Sequence, residues 1–168
     1  ALYTFLTNMV TWTMGVNRTA AEAANEGELP AFFGQLHPVN KTPVGAYVLT
    51  GIVSSAVLII YGLMATTAED LFWSLFAFSS IVFLMPYLAL FPAFLKLRRT
   101  DADRPRPYRV PGNHTTAILM TIICVLFILQ AIVFFIWVPG EPVDWSYAIP
   151  VLAGVAVTLI IGEFLIKR

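Results

Sequence analysis

The sequence predicts an all-α integral membrane protein built from five transmembrane helices, and three observations carry that expectation. Of the 168 residues, 58% are hydrophobic and 12% charged, with a mean hydropathy of +0.79, well outside the composition of a soluble domain. The apolar residues gather in stretches of about twenty, long enough to cross ~30 Å of hydrocarbon as a helix and free of the period-2 alternation of a barrel strand. The basic residues fall only in alternate connections, as they do when loops alternate between the two sides of a bilayer.

The first expected span covers residues 1–17. "ALYTFLTNMVTWTMG" has neither a basic n-region nor a small-residue cleavage site, so it does not read as a signal peptide. A helix from Ala1 to Val16 covers only ~24 Å at ~1.5 Å per residue, and the chain is therefore expected to be truncated at its N-terminus. This helix is expected to leave the membrane through "VNRTAAEAAN", with Arg18 near the exit and Gly27 to Pro30 ending it. The second span, 43–64, carries Gly51 and Ser55 at small-xxx-small spacing, a close-packing signature.

The third span, 71–95, holds Ser79, Ser80, Pro86, Tyr87 and Pro92. Each proline removes a backbone donor and crowds the preceding turn, which predicts a kinked or locally loosened helix. A membrane tolerates that where neighbours or a water-filled cavity satisfy the freed carbonyls. The fourth and fifth spans, 115–138 and 146–166, are plainer apart from Gln130 and Glu163, the latter one turn before Lys167 and read as a surface ion pair. Trp73, Trp137 and Trp145, near span ends, read as interfacial anchors.

Orientation follows from the charges. Arg18 and Lys41 flank loop 18–42, Lys96, Arg98, Arg99, Arg104, Arg106 and Arg109 fill loop 96–114, and Lys167 and Arg168 end the chain. The other two connections, "ATTAED" and "PGEPVDW", carry Glu69, Asp70, Glu141 and Asp144 without Lys or Arg. The basic face is assigned to the cytoplasm, which places the C-terminus inside and makes the chain a single multi-pass domain of the cell's inner (plasma) membrane. The polybasic "KLRRTDADRPRPYRVPG" is attracted to anionic lipid at roughly 1 kcal/mol per basic residue near the surface. A formal net charge of zero gives no pointer to nucleic acid.

Catalysis is poorly served. No Asp, Lys, Arg or His lies mid-span, and His37 and His114 read as plain surface residues near the cytoplasmic side. Paired carboxylates, a His-x-x-x-His pair, a nucleophile elbow and a phosphate loop are all missing, so an enzyme is not expected, nor a cofactor. The single Cys124, inside an apolar run, rules out an intrachain disulfide and a cysteine metal cluster and reads as a buried apolar residue; no metal site is expected.

Two ordered motifs resemble a known family. "WTMGVNRTAAEAANEGELPAFFGQLHPVNKTPVGA" resembles the segment joining the eighth and ninth spans of the amino acid, polyamine and organocation (APC) transporter superfamily. It has a Trp, an Arg six residues on, an Ala-rich helix, Gly, Leu-Pro, and a Thr-Pro opening the next helix. "FLMPYLALFPAFLKLRR" followed by "RPYRVPG" is similar to the tenth span and its loop. The spacing of Gly15 and Arg18 from Trp12 looks most like glutamate/GABA antiporters and related amino acid permeases.

The resemblance implies a twelve-span, LeuT-like inverted-repeat transporter working by alternating access, by exchange or with a coupling proton, of which this chain supplies spans eight to twelve. Its implied partners are an amino acid such as glutamate or GABA, the lipid bilayer, and N-terminal spans of the same permease. In that fold the substrate is held at the unwound first and sixth spans, which precede Ala1. Three residues carry over by position. Trp12 matches a Trp that packs against the substrate in a related antiporter, Ser79 a tenth-span Ser near the substrate, and Tyr87 a Tyr of an inner gate. An aromatic face suits a cationic or aliphatic substrate and a hydroxyl can donate to a carboxylate. The rival readings are helix packing or belt anchoring for Trp12, and a non-transporting helical subunit or channel component for the chain, which would need a polar or Gly-lined path.

Overall fold

The structure, a computed structural model, describes residues 2–166 apart from 103, 106 and 109. Five helices follow one another: α1 (Leu2–Asn25), α2 (Val44–Met64), α3 (Ala68–Thr100), α4 (His114–Ile136) and α5 (Trp145–Ile166). A 3-10 turn, Ala31–Gly34, lies between α1 and α2, and among the described residues the only β-type pairing is an isolated bridge between Leu36 and Pro43. Of the basic residues used for orientation, Arg106, Arg109, Lys167 and Arg168 lie outside the described residues, and with Lys167 so does the expected pair with Glu163.

Helices α2 to α5 are each long and apolar enough to cross a bilayer, so the protein is an all-helical, multi-pass membrane protein. Helix α1 does not reach that apolar standard. Its polar side chains nevertheless turn inward on their own helix. Thr7, Thr11, Thr13 and Thr19 donate to the carbonyls of Tyr3, Thr7, Met9 and Gly15 at 2.9, 2.9, 2.7 and 3.1 Å. A hydroxyl satisfied this way loses little on leaving water, and α1 is more lipid-compatible than its composition suggests.

Four of the helix ends have an identifiable chemical cause. Helix α1 stops in a Schellman motif: Gly27 takes φ +83, its N–H donates to Ala24 O at 3.1 Å, and Glu28 N–H donates to Ala23 O at 2.9 Å. Helix α3 starts with a capping box in which Asp70 N–H donates to Thr67 Oγ1 and Thr67 N–H to Asp70 Oδ2, both at 3.0 Å. Asp144 accepts from Ser146 N–H at 2.9 Å to open α5, and Asn113 accepts from Thr116 N–H at 2.9 Å to open α4. Two of the acidic residues in the acidic connections are thus helix caps. Asn113→Ala is expected to destabilise the protein by about 1 kcal/mol, read as a lower thermal midpoint of the detergent-purified protein; an unchanged midpoint would leave the cap without energetic weight.

The described residues fall into two packed units. The first takes in α1, the 3-10 turn, α2 and the end of α5 from Val157; the second is Phe72–Ala156. In the first, α1, the turn and the start of α2 meet one another, with Ala21, Gly45 and Ala46 buried. Their small side chains let backbones approach closely.

In the second unit the buried positions recur three or four residues apart on each helix: Ala77 and Ile81 on α3, Ala117 and Thr121 on α4, Ala148, Val151 and Val155 on α5. That spacing is one face of a helix. At one end Phe72, Trp73, Phe76 and Phe135 form an aromatic cluster with neighbouring ring centroids 5.3–6.0 Å apart. The Tyr147 hydroxyl lies within reach of two carbonyl oxygens, Phe135 O at 3.2 Å and Trp73 O at 3.4 Å, between which its single proton is shared. Gly51 and Ser55 are exposed, with no atom near enough to meet a Cβ at Gly51, so their small-residue face is unused among the described residues. Cys124, read as buried, is part-exposed on α4.

Candidate functional site

In the first unit the polar centre is Asn17, 1% exposed on the same face of α1 as buried Ala21. Its Nδ2 donates to Thr13 O at 2.8 Å, and its Oδ1 accepts from Thr50 Oγ1 at 2.7 Å. The second bond ties α1 to α2 across 33 residues of sequence. The sequence reading treats Asn17 only as part of the exit from the membrane; the available signal is an Asn one turn before the buried Ala21.

Side-chain chemistry makes the two partners unequal. With Asn17→Ala, Thr50 can turn back to the carbonyl one turn earlier in its own helix. With Thr50→Val, Asn17 Oδ1 is left buried and unpaired, a cost of about 1 to 3 kcal/mol. We therefore expect Thr50→Val to destabilise more than Asn17→Ala, and the double variant to fall short of their sum by about 1 kcal/mol. A double-mutant cycle on thermal unfolding of the detergent-purified protein checks this, and strict additivity would contradict the pairing.

Trp12 lies on another face of α1. Five residues before Asn17, at 3.6 residues per turn, it stands about 140° around the helix, and 55% of its surface is exposed. Within this unit it is thus not a core residue. Ser79 and Tyr87 belong to the second unit, both on α3, which continues as helix through Pro86 and Pro92. The missing N–H groups leave the carbonyls of Val82 and Leu88 without their usual helical donors. Ser79 is exposed, on the side of α3 about 160° from buried Ile81. Tyr87 is 37% exposed, with its ring 5.9 Å from that of Phe83. Ser79 and Tyr87 therefore share a helix, whereas Trp12 stands in the other unit.

The histidines fasten loops. His37 Nδ1 accepts from the N–H groups of Val39 and Asn40 at 3.3 and 3.2 Å, inside a turn where Lys41 adopts φ +53. His114 Nε2 accepts from Arg99 Nε at 2.7 Å. Arg98 donates to Val110 O at 3.2 and 3.3 Å and to Gly112 O at 2.8 Å, folding the loop back onto the end of α3. Among the described residues no group of three or more His, Cys, Asp or Glu is placed to hold a metal ion.

A family profile described as amino acid permease matches residues 1–161. The chain is 34% identical over 168 residues, 99% of its length, to a protein of Lactococcus lactis described as a "probable agmatine/putrescine antiporter". It is 25% identical over 130 residues, 76% of its length, to an uncharacterized transporter of Legionella pneumophila. The chain spans 36% and 27% of the lengths of those two relatives. No solved structure matches it significantly.

Proposed function

Because the chain belongs to the amino acid permease family of the APC superfamily, we propose that it forms the eighth to twelfth spans of a secondary transporter for amino acids and the amines made from them. Transport proceeds by alternating access, as exchange or coupled to a proton, in the cell's inner (plasma) membrane. The helix ends and connections carrying Arg18, Lys41 and Lys96 to Arg109, and the C-terminus, face the cytoplasm. In this reading Trp12, Ser79 and Tyr87, the three residues that the family resemblance carries over by position, each serve in substrate binding or gating.

The observation that carries the reading is 34% identity, sustained over 99% of the chain, to a protein described as an antiporter. It favours cationic amines such as agmatine and putrescine over glutamate and GABA. The chemistry of the spans leans the same way. Trp12 offers a π-face, which attracts a cation.

The test is exchange by full-length permease in proteoliposomes loaded with putrescine. Entry of labelled agmatine, with little entry of glutamate or GABA, supports the amine assignment. Preferential entry of glutamate or GABA would return the substrate to the acidic class, and no flux of any amino acid or amine would sink the transport reading.

A further inference from the structure

A cavity of about 500 Å³ opens where the loop after α3 folds back on the helix, a volume typical of small-ligand sites. Phe94 and Leu97 on α3 and Tyr108 and Val110 on the loop supply its apolar wall, and Arg98 and Arg104 supply positive charge. Arg98 has neutral partners: the carbonyls of Val110 and Gly112, and the Phe94 ring 5.9 Å from its guanidinium carbon. Those three hydrogen bonds leave two of its five N–H donors over, one on Nη1 and that on Nε. Asp101 also lines the cavity and pairs with Arg104 at 3.5 Å, but both side chains are well exposed, at 40% and 74%, where such a pair is screened and weak. Lys96 stands exposed one residue from the cavity wall.

We propose that this pocket holds one anionic phospholipid, its phosphate against Arg98 and Arg104 and its glycerol and upper acyl carbons against Phe94, Leu97, Tyr108 and Val110. Charge complementarity selects the anion. Between residues 96 and 109 the sequence has six basic and two acidic residues. The apolar wall selects an amphiphile over a free anion, since a bare phosphate would leave four apolar side chains unmatched. Location selects a lipid: the pocket sits where a membrane-crossing helix runs into a basic loop, at headgroup level. The proposal rests on the membrane reading of α3; which leaflet supplies the lipid rests on the proposed cytoplasmic orientation.

Full-length permease in neutral detergent, given equal amounts of phosphatidylglycerol and phosphatidylcholine and examined by native mass spectrometry, reads the site without transport. The wild type is expected to retain phosphatidylglycerol in preference. Arg104→Gln, at an exposed position, is expected to lower its retention about fivefold, from ~1 kcal/mol per basic residue, and to leave phosphatidylcholine unchanged. Val110→Trp fills the cavity without altering charge and is expected to lower it at least as much. Lys41→Gln, which removes a cation from the other basic loop, is expected to change nothing.

Equal losses from Lys41→Gln and Arg104→Gln would reduce the effect to diffuse surface attraction and overturn the proposal. So would displacement of the lipid by inorganic phosphate, which would make the occupant a free anion. A permease that selects phosphatidylglycerol yet moves no substrate leaves this site standing and removes only the transport reading.

Discussion

Trp12→Ala in full-length permease is expected to reduce amine exchange in proteoliposomes about thirtyfold, with membrane insertion and yield unchanged. A desolvated cation over an indole face is worth about 2 kcal/mol, and 1.4 kcal/mol is a factor of ten. Trp12 is 55% exposed and about 140° around α1 from Asn17, the residue that binds α1 to α2. Truncating it therefore leaves both the Asn17 to Thr50 bond and the buried Ala21 in place. Trp12→Phe keeps an aromatic face with a weaker quadrupole and is expected to lie between wild type and Ala. A packing or belt role has a different signature, lower yield or insertion with normal specific activity in the protein that does insert. Unchanged exchange in Trp12→Ala would remove the residue from the proposed path.

The helical membrane fold and the family are legible in the sequence because both rest on features spread along the chain. Apolar runs of the right length need no tertiary partner to be recognised, and the Trp12 to Thr42-Pro43 motif and the α3 motif occur in order. Single contacts were less accessible. Asn17 is one polar residue in a row, and its value depends on Thr50, 33 residues away, a pairing that exists only once α1 lies on α2. The folded-back loop after α3 is hidden for another reason: Arg98 recognises the carbonyls of Val110 and Gly112, atoms that every residue possesses. The caps are an intermediate case. Thr67 and Asp70 stand at the spacing of a capping box in plain sequence, but "ATTAED" reads first as the acidic side of a charge pattern.

Gly45→Ala is expected to have the largest effect on the fold. An ideal Cβ at Gly45 would lie 1.8 Å from the carbonyl oxygen of Phe32 and 2.9 Å from its carbonyl carbon. The obstacle is backbone in the 3-10 turn, so no rotamer change can relieve it, and either the turn or the start of α2 must move. Movement of the turn also threatens the bond from Gly45 N–H to Gln35 O, at 3.5 Å. Overpacking of this kind costs about 3 kcal/mol or more, and detergent-purified Gly45→Ala permease should show a lower thermal midpoint and faster proteolysis between Asn25 and Val44. Gly51→Ala in the same helix is the internal comparison. Nothing lies within 4 Å of a Cβ there, and alanine is the better helix former, so its midpoint should hold or rise. Equal stability of the two variants would mean that α2 does not start against the 3-10 turn, and the packing of loop 18–42 would need to be redrawn.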